Sequence, residues 1–167
     1  MWELYIVRHG IAVDRGTPGI PDDERPLTPR GEKRMREVAA GLAALELPVD
    51  RIASSPLPRA RRTAEILAHG LRMAADVEIA AVLRAESTAR DVAEWLGLQP
   101  EAPLMIVGHN PTLDELLSLL LLDDPRALRF EFKKGGVACL RRPSSDGERH
   151  VLEWLAPPKL LRRLGDD

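Results

Sequence analysis

Short apolar runs alternate along the chain with longer segments in which apolar residues recur every three or four positions. Runs of the first kind predict strands at residues 4–7, 51–54, 77–83 and 103–107. Segments of the second kind predict amphipathic helices, because that spacing places the apolar side chains on one face. Strands that alternate with helices in this way indicate an α/β sandwich with a mostly parallel sheet.

Capping residues and prolines indicate where the four predicted helices begin. These positions are Thr28 with Pro29, the Ser55-Pro56-Leu57-Pro58 stretch, Ser87 or Thr88, and Asn110 with Pro111. The first helix is expected to run to about Leu47, and Arg59 falls near the start of the second.

The last third of the chain has a different pattern. Three short runs at residues 128–132, 137–141 and 150–155 are separated by a Gly-Gly turn and by a Pro-Ser-Ser-Asp-Gly turn at residues 143–147. They predict antiparallel strands that extend the sheet. The chain has 167 residues without a linker or internal repeat, so we expect one domain over residues 1–167.

Composition narrows the class of protein. The 24 Lys and Arg residues nearly balance the 26 Asp and Glu residues, so no net field directs the whole surface toward nucleic acid or anionic lipid. The single cysteine, Cys139, excludes an internal disulfide and is expected to pack as a small hydrophobe. The start of the chain lacks the features of a signal peptide, and no apolar run is long enough to span a bilayer. We therefore expect a cytoplasmic protein that binds neither nucleic acid nor membrane.

Polar clusters follow three of the predicted strands. They are Arg8-His9-Gly10, Ser54-Ser55-Pro56 leading to Arg59, and Gly108-His109-Asn110-Pro111. In α/β sheets ligands bind beyond the carboxyl ends of the strands, so we expect the three clusters to meet at one rim.

The side chains in these clusters suit phosphoryl transfer. A neutral imidazole is a good nucleophile, so His9 can attack phosphorus and form a phosphohistidine intermediate. The guanidinium groups of Arg8 and Arg59 suit the phosphoryl oxygens. His109 can add a donor as an imidazolium, beside the N-terminus of a helix. A lone histidine or arginine is more often structural or solvated, but the combination favours a phosphate pocket.

The clusters belong to a longer ordered set that resembles the histidine phosphatase superfamily. The matching stretches are Val7-Arg8-His9-Gly10, Leu27-Thr28-Pro29-Arg30-Gly31, Ser54-Ser55-Pro56-Leu57-Pro58-Arg59-Ala60 with Thr63-Ala64, and Val107-Gly108-His109-Asn110. The short chain and the ending Trp154-Leu155-Ala156-Pro157-Pro158-Lys159-Leu160 are similar to the SixA-like phosphohistidine phosphatase branch. The resemblance implies a three-layer α/β/α sandwich. It also implies His9 as nucleophile, a phosphate pocket of Arg8, Arg59 and His109, and no metal or other cofactor.

The proton donor is the open question in this assignment. Cleavage of an alkyl phosphate normally needs a carboxylic acid with a raised pKa. Many superfamily members carry a glutamate after the third strand, and Glu86 is the nearest candidate, although its neighbours match poorly and a charge at a helix start needs no catalytic role. Loop carboxylates that follow His9 are further candidates: Asp14, Asp22, Asp23 and Glu24. Phosphohistidine is a phosphoramidate and can be cleaved with a weak general acid or none, because its imidazole leaves readily once protonated.

Three hypotheses remain at this point. The first is a phosphatase that removes phosphate from phosphohistidine on a protein. It is favoured by the resemblance to the SixA-like branch and by the short connection at residues 83–87, which leaves little room for the insertion that encloses small substrates in larger relatives. The second is a phosphomonoesterase acting on a small phosphorylated metabolite, which requires a working Glu86. The third is a noncatalytic phosphate-binding module. A mutase is less favoured, because it needs a closed pocket that excludes water.

Overall fold

A six-stranded sheet forms the centre of the structure, a computed structural model that describes residues 2–142 and 149–165. Its strands are β1 (Glu3–Arg8), β2 (Arg51–Ser54), β3 (Glu78–Ile79), β4 (Leu104–Gly108), β5 (Val137–Arg141) and β6 (Val151–Ala156). Their spatial order is β3-β2-β4-β1-β5-β6. The first four strands pair in parallel, and β5 and β6 pair antiparallel. The α/β fold with antiparallel C-terminal strands is therefore confirmed.

Helices cover both faces of this sheet. They are α1 (Pro29–Ala44), α2 (Pro58–Gly70), α3 (Ala89–Gly97), α4 (Thr112–Leu122) and α5 (Pro158–Leu164). Successive side chains of a strand point to opposite faces. Accordingly, Tyr5 and Val7 of β1 pack with α1, α2 and α5, whereas Leu4 and Ile6 pack with α3 and α4. The sheet therefore lies between two layers of helices, and one apolar cluster fills each of the two interfaces.

Strand register brings the predicted polar clusters to one rim. In the parallel β1/β4 pair Arg8 lies opposite Gly108, and in the β2/β4 pair Ser54 lies opposite Val107. The residues that follow the three strands are therefore neighbours. The amide of His9 donates to the carbonyl of Gly108 at 3.1 Å, which ties two of the clusters together.

Three of the four helix starts predicted from the sequence are correct. Thr28 caps α1 by accepting a hydrogen bond from the Gly31 amide at 2.9 Å. Thr88 caps α3 in a reciprocal capping box. The prediction that Asn110 caps α4 is wrong, because Pro111 occupies the cap without a side-chain bond and the amide group of Asn110 donates to Phe132 instead.

The expected strand at residues 77–83 is only partly correct. β3 is limited to Glu78–Ile79, and a 3-10 turn follows at Ala81–Leu83. Both residues of β3 are exposed at the edge of the sheet, whereas Leu83 is buried against α3 and α4. The turn therefore carries Leu83 off the edge and into the core.

The expected strand at residues 128–132 is wrong. Side chains take the backbone groups that a strand would pair: the Phe132 amide donates to Asp114, and its carbonyl accepts from Arg8 and Asn110. Helix α5 was not predicted, and α1 ends at Ala44 rather than near Leu47. The turn predicted at residues 143–147 lies outside the described residues.

Candidate active site

A pocket of about 230 Å³ lies at the carboxyl ends of β1, β2 and β4. We call it the phosphoryl pocket. Its lining residues are Arg8, His9, Asp14, Arg15, Arg25, Arg59, Ala85, His109, Asn110 and Lys134. The structure thus brings together His9, Arg8, Arg59 and His109. Five of the lining residues are cations and one is a carboxylate, so the pocket suits an anion.

The ring of His9 is held in one tautomer. Its Nδ1 lies 2.7 Å from the carbonyl oxygen of Gly10, and because a carbonyl only accepts, Nδ1 carries the hydrogen. The Gly10 amide in turn donates to the hydroxyl of Thr63 on α2 at 3.0 Å. Nε2 therefore keeps its lone pair. Burial, followed by the nearby His109, holds the pKa of His9 well below its ordinary value, so the ring is neutral at neutral pH.

His109 lies beside His9 and is also buried. Its Nε2 is 2.8 Å from the hydroxyl of Ser55. Burial, and then the charge of Arg59, lowers the pKa of His109 to about 3. The expected imidazolium is thus not favoured by the protein's own groups, which hold this ring neutral. The charge of a phosphate dianion acts in the opposite direction.

The guanidinium group of Arg59 is nearly completely enclosed. Its side chain is 2% exposed, and Nη1 donates to the backbone carbonyl of Asp22 at 2.9 Å. The carboxylate of Asp22 is more distant, 3.9 Å from Nη2. Burial, followed by the charge of Arg25, lowers the pKa of Arg59. A buried cation with so distant a counter-charge favours an incoming anion.

A chain of contacts fixes Arg8. Its Nη1 donates to the carbonyl of Phe132 at 2.5 Å, and Glu131 lies 3.7 Å away at the surface. The amide of the same Phe132 donates to the carboxylate of Asp114 on α4 at 2.8 Å. Asp114 therefore positions Arg8 through one intervening residue.

Sequence reasoning missed several residues of the pocket. Arg25 is buried, and its guanidinium contacts the carboxylate of Asp22 and the carbonyl of Val13. Ser55 stood in a motif but had no assigned role. Arg15 and Lys134 come from a loop and a turn without any periodic pattern. For the loop residues the sequence carries no signal, because their position depends on the tertiary structure.

The structure does not bring Glu86 into the phosphoryl pocket. Its side chain is exposed and pairs with Arg84, whose Nε lies 2.6 Å from Oε1. This hydrogen bond lowers the pKa of Glu86, whereas a general acid needs a raised pKa. Of the loop carboxylates, Asp14 lines the pocket, Asp22 pairs with arginines, and Asp23 pairs with Arg84 at 3.1 Å.

Two further observations concern the whole described part of the chain. Within residues 2–142 and 149–165, no group of three or more His, Cys, Asp or Glu side chains is placed to hold a metal ion. In the same residues, no helix combines the length and apolar character needed to cross a membrane. Cys139 is buried in β5.

Comparisons with known proteins agree with the geometry. The profile of the histidine phosphatase superfamily (branch 1) matches residues 4–85. An uncharacterized protein from Picosynechococcus sp. is 36% identical over 165 residues, which cover 95% of this chain and 98% of that protein. This chain belongs to the histidine phosphatase superfamily.

Solved structures extend the likeness to the SixA branch. The protein histidine phosphatase SixA complexed with tungstate has a TM-score of 0.81 at 24% identity, covering 95% of this chain and 99% of that chain. SixA from Agrobacterium tumefaciens has a TM-score of 0.75 at 27% identity, covering 94% and 98%. As a SixA-like member of this superfamily, the chain is assigned to the phosphatases.

Proposed function

We propose that this SixA-like protein dephosphorylates phosphohistidine on a protein, with His9 as the nucleophile and water as the final acceptor. The observation that carries the proposal is the hydrogen bond from Nδ1 of His9 to the Gly10 carbonyl. It leaves the lone pair on Nε2, in a pocket that also contains Arg8, Arg59 and His109. A neutral, oriented imidazole beside two arginines is the arrangement that phosphoryl transfer requires.

The reaction has two balanced steps. First, Nε2 of His9 forms a bond to phosphorus while the N–P bond of the substrate breaks and returns its electron pair to the substrate ring. That ring enters with its other nitrogen protonated, so it departs as neutral imidazole, and the positive charge passes to the His9 ring, which keeps its hydrogen on Nδ1. Second, a water oxygen bonds to phosphorus, the bond to Nε2 breaks and its electron pair returns to His9, and both hydrogens of the water leave with the product as dihydrogen phosphate. In both steps the charges of Arg8 and Arg59 stabilise the phosphoryl oxygens, and His109 contributes a hydrogen bond to them.

The carboxylates around the site support phosphohistidine over an alkyl ester. An ester needs an acid with a raised pKa to protonate the departing alkoxide. Among the described residues that line the pocket, Asp14 is the one carboxylate, and it is exposed. Glu86 lies outside the lining and pairs with Arg84. An imidazole leaving group does not require such a carboxylic acid.

The chain around the pocket also supports a protein substrate. Residues 84–88 join the 3-10 turn at Ala81–Leu83 directly to α3, without an insertion that could cover the pocket. A histidine on another protein can therefore reach His9. The likeness to SixA, named as a protein histidine phosphatase, points in the same direction. We further propose that residues 1–167 act as one domain and that the reaction needs no metal.

The test is release of inorganic phosphate from a phosphohistidine protein and from a panel of phosphate esters. We expect wild-type turnover of the phosphoprotein, unaffected by EDTA, and a loss of roughly a thousandfold or more in His9→Ala. Circular dichroism confirms that the variant is folded. Equal activity in His9→Ala overturns the mechanism. Preference for an ester favours a phosphomonoesterase, and phosphate binding without turnover favours the binding module.

A further inference from the structure

A second basic pocket adjoins the phosphoryl pocket. It has a volume of about 270 Å³ and lies between α1, the start of α5 and the chain after β1. We call it the Arg34 pocket. Its lining residues are Gly10, Ile11, Gly31, Arg34, Met35, Val38, Lys134, Pro158, Lys159 and Arg162. Lys134 lines both pockets, so the two share a wall.

The charged side chains that line the Arg34 pocket all have the same sign. Four of its described lining residues are cations and none is acidic. Arg162 contacts Glu37 at 3.4 Å, and within residues 2–142 and 149–165 no carboxylate lies within 4.0 Å of Arg34, Lys134 or Lys159. Burial, and then the charges of Arg30 and Arg162, lowers the pKa of Arg34. Like charges that line one pocket repel one another, and a bound anion relieves that repulsion.

Close backbone contacts fix the walls of the pocket. A Cβ on Gly31 would lie 2.0 Å from the carbonyl oxygen of Ile11, so glycine is required for α1 to approach the chain after His9. Gly135 has a φ of +83°, which favours glycine, and its amide donates to the carbonyls of Arg8 and His9. These bonds tie the turn that carries Lys134 to the end of β1. The two pockets therefore keep a fixed relation.

We propose that the Arg34 pocket is a second anion subsite, which binds a carboxylate side chain of the phosphoprotein whose phosphoryl group occupies the first pocket. The inference rests on the proposed function and deepens it, because it names the feature that selects the substrate: acidic residues close to the phosphohistidine. Lys134 and Lys159 are exposed and steer such a surface toward the site. Arg34 and Arg162 are half-buried and bind the carboxylate itself.

The test compares two double variants that remove the same charge from the same helices. Arg34→Gln with Lys159→Gln alters the pocket. Lys33→Gln with Arg163→Gln is the matched control, because both of these residues are exposed and neither lines a pocket described above. The substrates are two phosphohistidine peptides that differ by Glu→Gln changes beside the phosphohistidine, and para-nitrophenyl phosphate, which has no second anionic group.

We expect the wild type and the control to prefer the acidic peptide by about tenfold in kcat/KM, mainly through KM. The preference should shrink as salt is added. The Arg34→Gln/Lys159→Gln variant should lose the preference and keep its activity on para-nitrophenyl phosphate. A preference retained in this variant, or lost equally in the control, overturns the proposal.

A different result is expected if the protein does not hydrolyse phosphohistidine. In that case neither peptide releases phosphate, while para-nitrophenyl phosphate is still hydrolysed in a His9-dependent reaction. The comparison is then made on alkyl phosphates with and without a carboxylate. A preference that depends on Arg34 and Lys159 there assigns the subsite to a small-molecule anion and overturns its assignment to a protein carboxylate. No preference overturns the subsite altogether.

Discussion

The imidazole rings of His9 and His109 lie with their centroids 5.2 Å apart, tilted by 55°. Both rings are buried, and a charge on one would oppose a charge on the other. The neighbouring guanidinium of Arg59 adds to this effect and lowers the pKa of both histidines. The pair is therefore neutral at neutral pH, which leaves the lone pair on Nε2 of His9 unprotonated.

The same lowered pKa values predict how stability changes with pH. In the unfolded chain His109 titrates near 6.5, but in the folded protein it titrates at about 3. Between these values the unfolded state binds more protons, so acid favours unfolding. Well below pH 6.5, each unit decrease in pH should therefore lower the unfolding free energy by about 1.4 kcal/mol through His109. Urea denaturation between about pH 6 and pH 5 measures this slope, above the range in which most carboxylates titrate.

Replacement of His109 isolates its share of that slope. We expect His109→Gln to reduce the slope, and His69→Gln, at the exposed end of α2, is the matched control for the loss of one histidine. His9 and His150 have lowered pKa values as well and account for the slope that remains. An identical slope in wild type and His109→Gln would show that His109 is protonated normally in the folded protein.

Ser55 is expected to position the second histidine. Its hydroxyl lies 2.8 Å from Nε2 of His109 and also accepts from the Leu57 amide at 3.3 Å. Ser55→Ala removes both bonds, so we expect kcat/KM to fall about tenfold and the unfolding free energy to fall by about 1 kcal/mol. Steady-state kinetics and urea denaturation measure the two effects. Ser55→Thr keeps a hydroxyl and should recover part of the activity, whereas an equal loss in both variants would argue against the hydrogen bond as the cause.

Asp114 should act on the phosphoryl pocket through Phe132 and Arg8. Asp114→Ala removes the acceptor for the Phe132 amide, so we expect a KM about tenfold higher with a smaller effect on kcat. Asp114→Asn keeps an acceptor oxygen and should retain most activity. Burial raises the pKa of Asp114, so its charge costs stability at neutral pH, and Asp114→Asn should be at least as stable as wild type.

The control for this experiment is Glu115→Ala, the next residue along α4. It changes the same helix without touching Phe132, so kinetics should stay close to wild type. If Asp114→Asn loses as much activity as Asp114→Ala, the carboxylate charge matters rather than the position of Arg8.

Glu86→Gln separates the two candidate substrate classes. Glu86 is exposed and paired with Arg84, so we expect phosphohistidine hydrolysis to change by less than about twofold across the pH range. Phosphate release from a phosphohistidine peptide, measured against pH, provides the comparison. A large loss together with the disappearance of an acidic limb in the profile would identify Glu86 as a proton donor and favour an ester substrate.

Local sequence patterns predicted a helix or strand correctly where that element depends on residues close to it in the chain. The strand at residues 4–7, the cap at Thr28 and the helix that follows Pro58 are present as expected. The pattern failed at residues 128–132, where the apolar spacing suits a strand but Asp114, Arg8 and Asn110 use the backbone groups of Phe132. No local rule predicts a competitor that lies about twenty residues away or more on another element.

The sequence was sufficient to predict the fold class, the three polar clusters and four residues that line the phosphoryl pocket: His9, Arg8, Arg59 and His109. These follow from periodicity, from the rule that strand ends share a rim, and from motifs contiguous in the chain. The folded structure was needed to establish the tautomer of His9, the position of Glu86 outside the pocket, and the proximity of Arg34, Lys134 and Lys159 beside it. Burial, charge and hydrogen bonding depend on residues far apart in the chain, and only folding brings those residues together.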